Sequence, residues 1–291
     1  MLKRLLASAL CAVGLHAELT VAVTYPYIAS LTESIGGDNV RVETLAQGNW
    51  DPHFVVPKPS LITKVRKADL LITNGADLEI GWLPPLLERA ANTRLASSSS
   101  RLTLASKIRL IDVPADTSRA GGDVHADGNP HFHLDPRNIP VLAESIAVFL
   151  SKNDPSHASR YQNNLTVFKL QWNARLKQWE KQMAFLKGKE IIQYHPVFNY
   201  FLRAYGIKPI GTIEPLAGIP PSATHTMKLV ALIQERNPYC IMHDVYHPTK
   251  TAEFLHTKTG IRLVVLPHDV GAQKGIGNLA SLFDSLIGSL Q

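Results

Sequence analysis

"DPSHASRYQNNLTVFKLQWNARLKQWEKQMAFLKGK", residues 154–189, contains no helix breaker between Ser156 and Leu186. Asp154 and Pro155 supply a start signal and Gly188 a stop, because proline is tolerated in a first helical turn and glycine ends a helix. Read as one helix, the stretch is about 45 Å long at 1.5 Å per residue. That exceeds the width of one small lobe, so the helix is expected to run along two.

The flanking sequence fits that expectation. Before the helix, "ELTVAVTYPYIASLTESIGG" (18–37) reads as a strand, a turn and an amphipathic helix. "VRVETLAQG" (40–48) is a strand, "PKPSLITKVRKA" (57–68) a proline-opened helix, and "DLLITNG" (69–75) a buried strand. "LEIGWLPPLLERAA" (78–91) reads as a helix, "KIRLIDV" (107–113) as a strand and "NIPVLAESIAVFLSKN" (138–153) as a helix. After Gly188 the alternation resumes, with strands in "KEIIQYH" (189–195), "KPIGTIEPL" (208–216), "PYCIMHDV" (238–245) and "IRLVVLPHDVG" (261–271), and helices between them and at the end. Strands alternating with helices imply parallel sheets. The expected fold is therefore α/β, with two lobes, each a mostly parallel sheet flanked by helices, joined by one long rigid helix. The expected boundaries are 18–150, 151–187 and 188–291, with no flexible Gly/Ser linker between them. Two such lobes leave a cleft at the carboxyl ends of their strands, where ligands bind.

"MLKRLLASALCAVGLHA", residues 1–17, has a basic start, an apolar stretch and a small-residue end. It reads as a secretory signal peptide cleaved after Ala17, too short to remain as a membrane span. Cys11 raises a lipoprotein alternative, which Leu10 just before it disfavours. Loss of Lys3 and Arg4 lowers the formal charge from +6 to +4. No Lys/Arg run interleaved with aromatics appears, so nucleic acid is not an expected partner. Of the two cysteines only Cys240 survives cleavage, within "YCIM", and it reads as a small buried hydrophobe.

Histidine is the unusual component. Twelve are present, several beside Pro, Asp or Gly. His53 in "WDPHFVVPKPS" follows the second strand, between Pro52 and Pro57, which restrict the backbone. His131 and His133 in "NPHFHLDPRN" alternate, so both can face one site, though a local hydrogen-bonding role suits His133 better. His195 ends the strand in "QYHPVFNYF", and His268 with Asp269 follows the strand in "VVLPHDVGA". "IMHDVYHP", with His243, Asp244 and His247, reads as a hydrogen-bonded turn. Each histidine alone also admits a bland reading, a surface-loop residue at His53 and, as readily as a ligand, a satisfied polar residue at a strand end at His195. Three imidazoles from comparable positions in two lobes, completed by a carboxylate or another imidazole, make a tetrahedral N/O site suited to Zn²⁺.

With those motifs in order, the mature chain resembles the periplasmic zinc/manganese substrate-binding proteins of ABC transporters, the cluster A-I or ZnuA/TroA-like family. The resemblance rests on "DPHFVVPKPS", "ADLLITNGADLEIGWLPPLL", "NPHFHLDPRN", "YHPVFNYFLRAYG" and "GIPPSATHTMKLVALIQE". It implies metal ligands at His53, His131 and His195, the last being His in the zinc branch and Glu in the manganese branch. His133 stands where the family usually has Trp. The family's fourth ligand, commonly Asp, falls at His268 by spacing, with Asp269 next, so His268, Asp269 and water stay open. The family's histidine-rich loop is short here, "GGDVHADGNPHFH", where His125, Asp123 and Asp127 could handle metal transiently.

The resemblance implies a periplasmic protein, a monomer and not an enzyme, that captures Zn²⁺ between its lobes and hands it to a membrane permease of an ABC transporter. Manganese or another divalent metal is the alternative cargo. An exported zinc hydrolase is a rival, since three His with an open position is also catalytic. It would need a general base, for which Asp269 or Glu214 is available, although no HExxH pairing exists. A siderophore- or cobalamin-type binding module would not need several imidazoles, and a metal buffer without a transporter partner is a further possibility.

Overall fold

A computed structural model describes residues 18–114, 125–216 and 218–291. The leader at 1–17, with Cys11, and Asp123 of the short loop lie outside the described residues. Among the described residues no helix is long and apolar enough to cross a membrane.

The first lobe is built on β1 (Leu19–Val23), β2 (Val40–Thr44), β3 (Leu70–Thr73) and β4 (Arg101–Thr103), ordered β2-β1-β3-β4. All pairings are parallel, with Val21 opposite Val42 on one side and Leu70 on the other. Val21, Ala22 and Val23, and likewise Leu70, Leu71 and Ile72, are buried, as a sheet covered on both faces requires. The second lobe repeats the plan with β5 (Glu190–Gln193), β6 (Lys208–Thr212), β7 (Ile241–Asp244) and β8 (Leu263–Leu266), ordered β6-β5-β7-β8 and again parallel. In both sheets the strand order reverses beside the first strand, so each lobe offers its switch-point crevice at the carboxyl ends.

The helices follow the sequence signals. α1 (Pro26–Gly36), α2 (Pro59–Lys67) and α3 (Leu83–Ala90) each carry proline in the first turn. A Cβ on Gly36 would sit 2.0 Å from a Val40 methyl, so only glycine lets the chain turn there from α1 into β2. The expected helix over 78–91 is regular only from Leu83. Residues just before it form turns, with Ala76 and Asp77 at positive φ. There the buried Glu79 accepts from Thr24 Oγ1 (2.8 Å) and from the Asn74 and Gly75 amides (2.7 and 3.0 Å). Burial pushes its carboxyl up to about 7.

α4 (Ile139–Asn153) leads into α5 (Ala158–Met183), 26 residues, flanked by 3₁₀ turns at Pro155–His157 and Ala184–Leu186. The regular part of α5 is about 39 Å long. Its buried side chains, Tyr161, Leu165, Trp172, Trp179 and Met183, form one stripe. Trp172 Nε1 donates to Pro136 O and Trp179 Nε1 to Asp284 Oδ1, both at 2.8 Å. Beyond α6 (Asn199–Tyr205), α7 (Ala223–Arg236) and α8 (Lys250–Thr259), the closing helix α9 (Leu279–Leu290) reaches both lobes. The Leu279 amide donates to Ser30 Oγ on α1, and Tyr239 OH donates to Leu290 O.

One apolar core therefore runs from the first sheet through α1, α4, α5 and α9 to Cys240, Met242, Val264 and Leu266 of the second lobe. The other face of the second sheet packs separately, with Ile192, Ile213, Leu229, Ile233 and Leu255. Cys240 is buried, as its apolar setting implied, and burial raises its thiol to about 12.

The expected strand over 107–113 is not formed. β4 lies earlier, and the segment after Lys107 joins no sheet. Its backbone bonds go elsewhere: the Ile111 amide donates to Tyr200 OH, and Ile111 O accepts from the Asn129 amide. The segment spans toward the second lobe instead of extending the first sheet.

Candidate metal centre

Three loops, two from the first lobe and one from the second, meet at the cleft. The first leaves β2. Tyr25 OH donates to Pro52 O (2.8 Å) and anchors it. Asp51 Oδ1 then accepts from both the His53 amide (2.9 Å) and His53 Nδ1 (2.8 Å). One carboxylate thus fixes backbone and ring together and leaves Nε2 for the cleft. Burial opposes ionisation of Asp51, but the bond and charge of His53 outweigh it and hold the carboxyl below its usual range.

The second loop follows β4 and carries "NPHFHLDP". Asn74 Nδ2 donates to Pro130 O (3.1 Å), and the His131 amide donates to Asn129 Oδ1 (3.0 Å). A 3₁₀ turn over Phe132–Leu134 then carries the chain into α4. His131 is 2 % exposed and its Nε2 has no hydrogen-bond partner among the described residues. Burial, reinforced by the surrounding imidazoles, depresses its pKa well below the usual histidine value. The ring is neutral at pH 7, with a buried polar nitrogen that ordinary packing leaves unsatisfied.

The third loop leaves β5. His195 is buried, and its Nδ1 pairs with Glu214 Oε2 at 2.8 Å. Glu214, just past β6, is itself held by the bond from its amide to Tyr194 O. Its other oxygen lies 3.7 Å from His247 Nε2, and His247 Nδ1 pairs with Asp244 Oδ2 at 2.8 Å. A carboxylate on Nδ1 orients a ring and sharpens Nε2 as a donor, as in carboxylate–histidine–metal sites.

His53, His131 and His195 each offer one nitrogen, and these atoms lie within 4.8 Å of one another. Ring centroids are 5.5 Å apart for His53–His131, 5.8 Å for His53–His195 and 6.1 Å for His131–His195. His125 approaches the same point, its Nε2 3.1 Å from His53 Nε2. A cavity of about 210 Å³ opens beside the group, lined by Asp112, His125, Asn129, His131, His195 and Asn199 among others.

His268 and Asp269 are not part of this group of three. The His268 ring packs edge-on to Tyr246 with its Nδ1 unpartnered, and burial lowers its pKa to about 4. Asp269 accepts from the Val270 amide (2.7 Å), and burial raises its carboxyl well above the usual range. His133 lies flat on Tyr27, with centroids 4.2 Å apart and planes 8° apart, and donates from Nε2 to His268 O (2.9 Å). It has the local hydrogen-bonding role that suits it by sequence. The Asp244 turn is likewise structural, accepting from the Tyr246 and His247 amides (3.1 and 2.9 Å).

Sequence reasoning missed Asp51 and Glu214 as ring-orienting groups. Asp51 was legible as the acid two residues before His53, and Glu214 as an acid at a strand end equivalent to those of the histidines. The two acids available to a hydrolase are committed elsewhere, Glu214 to His195 and Asp269 to the Val270 amide.

Comparison with known proteins is consistent across sequence and structure. The family model for the zinc-uptake complex component A, periplasmic, matches residues 21–287. A high-affinity zinc uptake system protein from Paracoccus denitrificans is 28 % identical, covering 92 % of this chain and 89 % of that protein. A manganese ABC transporter substrate-binding lipoprotein from Streptococcus pneumoniae is 29 % identical over 65 % of this chain, which spans 60 % of that protein. Among solved structures, a zinc-bound ZnuA deletion mutant superposes with a TM-score of 0.78 at 26 % identity, covering 92 % of this chain and 95 % of the other. A manganese-bound periplasmic protein from candidatus Liberibacter asiaticus shares the fold, with a TM-score of 0.77 at 19 % identity over 94 % of this chain and all of that one.

Proposed function

Because the chain belongs to the periplasmic zinc-uptake component A family, we propose that it is the binding component of a metal importer. In this reading it captures one Zn²⁺ between its lobes through His53, His131 and His195 and delivers it to the permease of an ABC transporter. The observation that carries the reading is the convergence of three imidazoles from both lobes, within 4.8 Å, around the orphaned Nε2 of a buried neutral His131.

Zinc fits this donor set better than manganese, because imidazole nitrogens suit Zn²⁺ and Mn²⁺ draws carboxylate oxygen. Zn–N bonds of about 2.0–2.1 Å in a tetrahedron put the nitrogens roughly 3.3 Å apart, so the rings need only close slightly on the ion. The fourth position falls to water or to His125, which faces His53 across the group.

The chain's own residues suggest how capture and release divide. Asp51 and Glu214 hold the rings in the metal-binding orientation. His131 stays deprotonated in its buried setting, so no proton has to leave it before binding. Since ligands come from two lobes, a small lobe displacement on docking breaks the coordination geometry and frees the ion. The proposed setting is the periplasm, after removal of residues 1–17.

The test is elemental analysis of protein purified without chelator, followed by competition titration with Zn²⁺, Mn²⁺ and Cu²⁺. One equivalent of tightly held zinc in the wild type, lost in His131→Ala, is the expected result. Absence of bound metal overturns the reading, and tighter manganese binding reassigns the cargo.

A further inference from the structure

We propose that Asn129 is a positioning residue that sets the spacing between His131 and His195, and so the strength of metal capture; the proposal rests on the reading of these histidines as ligands. Asn129 sits in the first-lobe loop, two residues before His131, and is 8 % exposed. Its side-chain oxygen accepts from the His131 amide at 3.0 Å. Its side-chain nitrogen donates to Pro196 O, the residue after His195, at 2.8 Å, and to Asp112 Oδ2 at 3.2 Å. One planar amide therefore grips the backbone at a first-lobe ligand with one atom and the backbone beside a second-lobe ligand with the other.

The partners allow only one orientation of that amide. A backbone N–H needs the oxygen, and a carbonyl and a carboxylate need the NH₂. The main chain of Asn129 is secured as well. Its amide donates to Ile111 O (2.8 Å), and its carbonyl accepts from Tyr200 OH on α6 (2.9 Å). Tyr200 OH in turn accepts from the Ile111 amide (3.1 Å), and Asn199 Nδ2, also on α6, donates to Asp112 Oδ2 (2.7 Å). The segment that failed to form a strand thus has a structural role, because Ile111 and Asp112 are the first-lobe half of a latch onto α6. Asp112 holds φ at 54°, an unfavourable conformation for a residue with a side chain, kept by its two asparagine partners.

The latch explains why two ligands on separate lobes keep a fixed separation before any ion arrives. Asparagine is the residue this geometry requires. Aspartate would keep the bond from the His131 amide but turn a carboxylate toward Pro196 O and Asp112, replacing attraction by repulsion. Alanine would release both arms.

The experiment measures zinc affinity by chelator competition, and the visible spectrum of the Co²⁺-substituted protein, for wild type, Asn129→Asp, Asn129→Ala and Tyr200→Phe. Circular dichroism and thermal unfolding of the metal-free chains identify any variant that fails to fold. Outer partners of metal ligands typically contribute about 10–100-fold in affinity, and a loss in that range is expected for both Asn129 variants, with an altered Co²⁺ spectrum. Tyr200→Phe, which keeps both side-chain arms of Asn129, is expected to lose less. Folded Asn129 variants that bind zinc within about twofold of a normally binding wild type, with the wild-type Co²⁺ spectrum, overturn the proposal alone. If these Asn129 variants do not fold, Asn129→Ser decides, since a hydroxyl can still accept from the His131 amide but is too short to hold Pro196 O as well, and an unchanged affinity and spectrum there overturns the proposal. A wild-type chain that takes up no metal overturns the metal-binding reading, and the proposal with it.

Discussion

Each of the three proposed ligands is held by its own surroundings, and these differ in what they contribute. Asp51 and Glu214 bond Nδ1 of His53 and His195 at 2.8 Å, whereas the Nε2 of His131 is kept unpaired by burial. Replacing Asp51 or Glu214 by the amide keeps the shape but removes the negative charge behind the ring. Asp51→Asn and Glu214→Gln are each expected to weaken zinc binding by about 10–100-fold, while His131→Ala weakens it further, as competition titration will show. The fourth donor can be separated at the same scale: His125→Ala is expected to change the Co²⁺ spectrum, and His268→Ala to leave it as it is. A spectrum that responds to His268 and ignores His125 would return the fourth position to the loop after β8. The three histidines stood out because each adjoins a proline, His53 and His195 in the loops after β2 and β5 and His131 in the loop ahead of α4. The fourth position was not, because spacing leaves His268, Asp269 and water open, and it does not show that the His268 ring packs on Tyr246 while His125 comes within 3.1 Å of His53.

Among the elements, α5 was the most legible, since an unbroken run between a Pro start and a Gly stop needs no tertiary information. Its one-sided stripe is anchored by Trp179, fully buried, edge-on to Trp172 at 5.2 Å and beside Phe283 at 5.2 Å. Trp179→Ala removes a large side chain from the core and leaves Asp284 without its indole donor. A loss of about 3–5 kcal/mol in unfolding free energy is expected, measurable by urea titration of the metal-free chain. A loss below about 1 kcal/mol would mean that α5 packs as a strut and not as core. The misread element, 107–113, shows the limit of pattern reading. Its alternation of Ile108, Leu110 and charged or polar residues is strand-like, but its hydrogen bonds go to the Asn129 amide in the loop ahead of α4 and to Tyr200 of the other lobe, a contact made only when the lobes come together. The early start expected for α3 failed for a related reason. Glu79 is spent satisfying Thr24, Asn74 and Gly75, so the chain turns there instead of coiling.

The whole molecule carries two opposed responses to acid. His131, His133 and His268 are buried neutral, His133 with its pKa lowered to about 3 and His268 to about 4. Their folded values lie below the unfolded value of roughly 6.5, so the stability they contribute is present above that pH and is lost as pH falls toward the folded values. Glu79, raised from 4.5 to about 7, acts in the other direction. Its contribution is full below 4.5 and is lost as pH rises through about 7, and the raised Asp269 carboxyl has the same sign. His247 is held above its usual value; burial opposes this, but Asp244 and Glu214 outweigh it, so its term acts above pH 6.5. Between pH 4.5 and 6.5 the three histidine terms are only partly offset by the two carboxyl terms, and below 4.5 Glu79 adds no further counterweight. Thermal unfolding of the metal-free protein is expected to move to lower temperature as pH falls from 6.5 to 4.5 and to keep falling below that. Glu79→Gln removes one counterweight, so the decline below pH 6.5 should be steeper than in the wild type. Zinc shifts the balance again, because it binds only deprotonated imidazoles and stabilises in proportion to its occupancy. Its added thermal protection should shrink as pH falls below about 6.5, the ordinary value for an imidazole. Zinc protection that persists undiminished at pH 4.5 would mean that imidazoles are not what hold the metal.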